Sequence, residues 1–317
     1  MTSRTDHMVP SDPGIELFVR EVLPPTPTKS PVLLVHGGGP GGIASFDLPV
    51  PGYSVAGDIA DAGHPVYVMD VRGWGTSTIP AALESPVDAC PPAVTSEEAV
   101  RDIGAVIGWI GQRRADAPVA LVGWATGGHW CGMYAARHTD RVGHLVMLNS
   151  LYGVAAPWPL ASAFEDPDRP GEIPMGIGAY RKLTRDNIVA SWDRAIPDQD
   201  KSVWRDPSVT AAFQDAVIGE APGGEVRVPA GFQLESYLMA RGLRYWDARD
   251  VRTPTLVIRG DLDHWSRPED LIALQRELIN APKVTALTIV GGTHYLFLDR
   301  PERGRARFLR EVLAFLS

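Results

Sequence analysis

An α/β fold, with a mostly parallel central sheet flanked by helices and interrupted by an inserted lid, is what the sequence predicts. Three observations carry this expectation. Short apolar runs alternate with amphipathic stretches, as strand–helix units require. The alternation stops near residue 150 and resumes near residue 251. Glycine-rich turns follow two of the apolar runs directly, which suits tight strand-to-helix connections.

Taken in order, Gly14 to Val22 (GIELFVREV) reads as an early strand, and Val32 to His36 (VLLVH) as a buried strand ending in a glycine cluster. Tyr53 to Ala62 reads as a helix and Pro65 to Asp70 (PVYVMD) as the next strand. Thr95-Ser-Glu-Glu98 offers a capping box, opening an amphipathic helix to about Arg114 with Val100, Ile103, Val106, Ile107 and Ile110 on one face. Pro118 to Gly123 is a strand, Gly127 to His138 a helix and Val142 to Asn149 a strand. From Leu151 to Asp250 the chain is rich in Pro, Gly, Asp and Trp, without strand–helix alternation. Pro254 to Asp261 restores the pattern, followed by a helix near Glu269 to Leu278, a strand at Val284 to Val290 and a final helix from Pro301 to Leu316. The expected organisation is therefore a core of residues 1–150 and 251–317 with a lid of residues 151–250.

With 317 residues, 44% hydrophobic and 21% charged, the composition is that of a globular protein. A net charge of −8 argues against nucleic acid or an anionic membrane as partner, since either calls for a basic patch. The N-terminal region carries Asp6, Asp12, Glu16 and Glu21 rather than an apolar leader. No run of about 18 apolar residues offers a membrane span. The reading is a soluble cytoplasmic protein with a small-molecule substrate and no metal or organic cofactor. The two cysteines, Cys90 and Cys131, are too few for a disulfide framework and are not spaced as metal ligands.

Three segments carry chemistry. Leu121-Val-Gly-Trp-Ala-Thr-Gly-Gly128 lies between an expected strand and helix, the context of a nucleophile elbow in which a sharp turn thrusts one side chain outward. That side chain is Ala125, whose methyl group can do no covalent chemistry. His36-Gly-Gly-Gly-Pro-Gly-Gly42 closes another strand and exposes backbone N–H groups of the kind that stabilise an oxyanion. Gly260-Asp-Leu-Asp-His264 and Gly291-Gly-Thr-His294 follow two later strands, so an acid and a histidine can meet above the carboxyl edge of the sheet. Positions 125, 263 and 294 fall in the order nucleophile, acid, histidine.

Together these segments resemble the α/β-hydrolase superfamily from about Gly14 to Ser317. Asp70-Val-Arg-Gly-Trp-Gly-Thr-Ser77 adds to the resemblance, matching a D-x-R-G-x-G-x-S turn of that family. The resemblance implies that Asp263 rather than Asp261 is the triad acid and His294 the general base. It also implies that Gly38 and Thr126 give the oxyanion amides. The glycine-proline loop resembles those of carbon–carbon-bond hydrolases of ring-cleavage products and of proline iminopeptidases. The elbow and the Trp-rich lid are similar to those of bacterial esterases of monoalkyl phthalates, which implies a small aromatic half-ester as substrate.

The substrate pocket is expected at Gly37, His129, Trp158 and Trp204. His129 has a second reading as a helix residue packed beside the sheet, and the lid tryptophans Trp158, Trp192, Trp204 and Trp246 have a second reading as core. Lid arginines Arg181, Arg185, Arg194, Arg241 and Arg244 are candidates to grip a free carboxylate through the planar guanidinium fork. The alanine leaves two classes open: a serine hydrolase inactivated by a serine-to-alanine replacement, or a natural inactive relative that binds a ligand. Acid, base and oxyanion loop are all retained, which favours the first.

Overall fold

The structure, a computed structural model, describes residues 2–173 and 177–317. The expected lid span thus includes residues 174–176, and the expected core residue 1, that lie outside the described residues. An eight-stranded sheet in the order β1-β2-β4-β3-β5-β6-β9-β10 forms the centre. Its strands are β1 (Ser3–Pro10), β2 (Glu16–Leu23), β3 (Val32–Val35), β4 (Val66–Met69), β5 (Val119–Trp124), β6 (Val142–Leu148), β9 (Thr255–Gly260) and β10 (Val284–Ile289). From β4 to β10 neighbouring strands run parallel, while the β1–β2 hairpin is antiparallel and closes one edge. β3, β4 and β5 are buried along their whole length, so both faces of the sheet centre are covered.

Helices α1 (Gly42–Phe46), α2 (Val55–Asp61), α3 (Ser96–Arg113), α4 (Thr126–Arg137), α8 (Pro268–Glu277) and α9 (Arg305–Leu316) flank the sheet. The start of α3 illustrates how local sequence sets a boundary. The Thr95 hydroxyl accepts the Glu98 N–H while the Glu98 carboxylate accepts the Thr95 N–H, and Val100, Ile103, Val106, Ile107 and Ile110 are buried against the sheet. No helix among the described residues is long and apolar enough to cross a membrane.

Two departures from the sequence reading stand out. β1 has no counterpart among the expected strands: it is an edge strand with mostly exposed side chains, including Asp6, so it has no apolar period to read. Between β6 and β9 the chain is more regular than its composition suggests. It forms β7 (Tyr180–Thr184), α5 (Arg185–Asp193), α6 (Pro207–Ile218), β8 (Glu225–Pro229) and α7 (Gly231–Ala240). β7 and β8 pair as a separate antiparallel ribbon. Capping at Thr184, whose hydroxyl accepts from Asn187 N–H, starts α5 at the ribbon's end.

Candidate active site

The turn from β5 to α4 sets the first element. Ala125 sits at φ 52°, ψ −117°, a backbone conformation that is strained for a residue with a Cβ. The turn is tight because glycines flank it. A Cβ on Gly123 would lie 2.3 Å from the Gly127 carbonyl oxygen, and one on Gly127 would lie 2.3 Å from that of His36. Hydrogen bonds from Ala125 N–H to the Leu148 carbonyl (2.8 Å) and from Ser150 Oγ to the Ala125 carbonyl (2.9 Å) hold the strained residue in place.

Opposite the elbow, His294 Nδ1 donates to Asp263 Oδ1 at 2.7 Å. Asp263 also accepts from the amides of Trp265 (2.9 Å) and Ser266 (2.8 Å) and from the Ser266 hydroxyl. Burial alone would raise the Asp263 carboxyl, but the charge and hydrogen bond of His294 and the Ser266 hydroxyl outweigh it and hold it below the usual range. Asp261, by contrast, is exposed and caps the Gly291 amide at 2.7 Å, away from His294. Asn149, at the end of β6, ties the two loops together. Its Nδ2 donates to the His294 carbonyl (3.0 Å) and its Oδ1 accepts from Gly260 N–H (2.8 Å). Trp124 Nε1 adds a donor to the same His294 carbonyl at 3.0 Å.

The glycine loop is pinned from behind. Gly42 N–H donates to Asp70 Oδ1 (2.6 Å), Trp74 Nε1 to the Gly39 carbonyl (3.1 Å), and His36 bridges the Gly37 carbonyl (2.7 Å) and the Val71 amide (3.0 Å). Because His36 Nε2 accepts from Val71, its Nδ1 carries the proton, and burial pushes its pKa down to about 4. Burial likewise lifts Asp70 to about 6. Gly37, Gly38, Ala125, Thr126 and His294 line one cavity of about 260 Å³. Thr126 is the first residue of α4, where N–H groups have no partner inside the helix. The cavity's remaining wall includes Phe164, Arg181, Arg194, Phe232, His264, Trp265 and Tyr295.

Three residues expected at the pocket lie elsewhere. His129 is buried beside the cavity wall, not in it: Trp246 Nε1 donates to its Nδ1 (3.1 Å), and its Nε2 faces Ser96 Oγ (3.0 Å). Ser96 in turn donates to Glu235 of α7, so the imidazole is part of a polar network joining α3 and α4 to the inserted segment. Desolvation pushes His129 down to about 3, leaving it neutral. Trp158 stands one layer behind the cavity, its Nε1 donating to the Trp265 carbonyl at 2.8 Å. Trp204 donates to the Gly291 carbonyl at 2.8 Å and stacks under Arg303. Both indoles find backbone acceptors within the packing, which is where an amphipathic ring is satisfied without a ligand. Trp265 and Phe232 take the lining role instead. Trp265 adjoins the acid turn in sequence, the one signal that could have identified it.

His129→Ala is expected to cost about 2–4 kcal/mol of stability, because it leaves a cavity, takes the acceptor from the buried Trp246 Nε1 and removes a donor to Ser96 Oγ. Denaturant unfolding checks this. In a position-125 serine background KM should stay within about twofold, since the imidazole touches no substrate.

Residues 31–301 match the family described as alpha/beta hydrolase fold. Among curated proteins, the chain is 31% identical over 162 residues to a 2-hydroxy-6-oxononadienedioate/2-hydroxy-6-oxononatrienedioate hydrolase of Paraburkholderia phymatum, a match spanning 50% of this chain and 47% of that protein. It is 29% identical to the human (lyso)-N-acylphosphatidylethanolamine lipase, over 90% of this chain and 80% of that one. Among solved structures, a serine hydrolase of the polyaromatic hydrocarbon-degrading Cycloclasticus zankles superposes with a TM-score of 0.64 at 15% identity, over 99% of this chain and 98% of that one. E-2-(acetamidomethylene)succinate hydrolase gives 0.64 at 20% identity, over 99% of both chains. At these identities the structural likeness is one of fold.

Proposed function

The chain belongs to the alpha/beta hydrolase fold family, and we propose that its site is that of a serine-type carboxylic-ester hydrolase arrested at the nucleophile by Ala125. The observation that carries this reading is the Asp263–His294 pair at 2.7 Å, facing the same cavity as a strained elbow and a pinned glycine loop. A relaxed loop at position 125 would need no left-handed backbone, and the Asp263–His294 pair would need no cavity.

With serine at 125, the mechanism follows from these positions. His294 Nε2 takes the hydroxyl proton as the serine oxygen bonds to the ester carbonyl carbon, and Asp263 stabilises the imidazolium. Amides of Gly38 and Thr126 hold the oxyanion. The carbon–oxygen bond to the alcohol then breaks, with the proton passing from His294 to the leaving oxygen. Water attacks the acyl-enzyme, again losing its proton to His294; the bond between the acyl carbon and the serine oxygen then breaks, His294 returns the proton to that oxygen, and the acid departs. With alanine the ester can bind but has no oxygen to acylate.

For the substrate we read a small aromatic half-ester such as a monoalkyl phthalate. Support comes from the resemblance of the elbow and from a cavity walled by Phe164, Phe232, Trp265 and Tyr295. Hydrolysis of a carbon–carbon bond in a ring-cleavage product is a second reading, supported by the match to the Paraburkholderia hydrolase, and it would use the same residues. A panel on Ala125→Ser separates the two. Alkyl esters of aromatic acids should exceed a vinylogous diketone ring-cleavage product in kcat/KM by at least about tenfold. The reverse order would assign the site to carbon–carbon cleavage.

A further inference from the structure

Among the described residues, the cavity is lined by two guanidinium groups and no carboxylate. Arg181, on β7, lies 5.0 Å over the Phe232 ring and lines the cavity near Gly39. Among the described residues it forms no ion pair, and its buried Nε has no hydrogen-bond partner. The other candidate lid arginines divide clearly. Arg185 pairs with Asp215 and Arg244 with Glu277, and Arg241 donates to the Gly171 carbonyl and Tyr237; none of the three lines the cavity. Arg194 lines it as a second, exposed guanidinium. Among the described residues, the lining includes no Asp or Glu.

A second observation points the same way. Five buried side-chain polar atoms among the described residues lack a hydrogen-bond partner, and three of them belong to lining residues of this one cavity: Thr126 Oγ1, Arg181 Nε and His264 Nδ1. Buried polar groups are ordinarily paired, so three orphans around one void indicate that a bound molecule completes them. Two of the three offer donors in their ordinary state, and one is cationic. The complementary group is therefore an acceptor carrying negative charge. Aromatic rings on Phe164, Phe232 and Trp265 supply flat apolar surface beside it.

We propose that the chain, with Ala125 in place, binds an aromatic carboxylate reversibly in this cavity, with Arg181 as its charge partner. The inference rests on the functional reading above only for the identity of the pocket. The carboxylate accepts from the Arg181 fork, and a neutral ester or amide in its place would leave the guanidinium buried and unpaired. Arg194 draws anions toward the cavity without needing to be enclosed.

The test is calorimetric titration of the Ala125 protein with monomethyl phthalate and benzoate, beside dimethyl phthalate and benzamide as neutral counterparts. The expected result is that each acid binds at least about tenfold more tightly than its neutral counterpart. Arg181→Met should bring that ratio close to one while raising Tm, because it removes an unpaired buried charge. Arg185→Met should leave the ratio unchanged. Equal binding of acid and neutral ligand, an acid preference that survives Arg181→Met, or an Arg181→Met protein with lowered Tm would each overturn the proposal. No turnover is involved. An inactive Ala125→Ser protein would leave this binding result standing, and loss of acid preference would leave the acyl-transfer geometry standing.

Discussion

Ala125→Ser is expected to raise ester hydrolysis by at least about 10⁴-fold over the parent chain, which should do no better than general-base catalysis from His294 alone. The expectation is large because nothing but one oxygen is missing from the arrangement. Ala125 already has the φ 52°, ψ −117° backbone of the elbow, so the substitution requires no movement of the main chain. Ala125 lines a cavity, which leaves room for a hydroxyl. His294 uses only Nδ1 in its bond to Asp263, so Nε2 is available to accept the serine proton. Steady-state hydrolysis of alkyl benzoates and phthalate monoesters by both proteins measures the difference.

In that serine background, Asp263→Asn should lower kcat by on the order of 10³–10⁴-fold, whereas Asp261→Asn should cost less than about tenfold. The asymmetry follows from the hydrogen bonds each carboxylate accepts. Asp263 receives His294 Nδ1–H together with three donors from Trp265 and Ser266, which fix its orientation. An amide there presents an N–H where a carboxylate oxygen stood, so the histidine loses both its tautomer and the partner of its positive charge. Among the described residues, the exposed Asp261 carboxylate accepts from the Gly291 amide alone. Comparison of kcat at matched folding, checked by Tm, decides between them. A larger loss for Asp261→Asn would place the acid two residues earlier.

The parallel core was legible because its strands are short, uniformly apolar and bounded by Gly, Pro or Asp, and because the Thr95 capping box marks the start of α3. β1 was not, since an exposed edge strand has no buried face to impress on its sequence. β7 and β8 were hidden by Arg181, Lys182, Arg227 and two prolines nearby, charges tolerated because the ribbon is only partly covered. Of the candidate site, the residues on strand-end turns could be placed in advance: Gly37, Gly38, Ala125, Thr126, Asp263 and His294 all follow a recognisable strand. The substrate wall could not. Which face of a helix or loop turns inward depends on partners distant in sequence, such as Trp246 and Ser96 for His129, or the Gly291 carbonyl for Trp204. The same holds for the arginines, whose pairing with Asp215 or Glu277 is decided by packing across thirty residues or more. Asn149, which joins the acid and histidine loops, carried no signal beyond its position at a strand end.

In the proposed hydrolase, position 125 is a nucleophile's place, addressed by His294 and lacking only its oxygen. Intact-mass measurement after exposure to a fluorophosphonate tests this: its P–F bond breaks as an activated serine oxygen bonds to phosphorus, leaving a phosphonylated serine, while the base takes the hydroxyl proton. Ala125→Ser should gain a single covalent adduct that disappears when His294 is also replaced by alanine, and the parent chain should gain none. A folded Ala125→Ser protein that stays unlabelled, or a parent chain labelled to the same extent, would contradict the account.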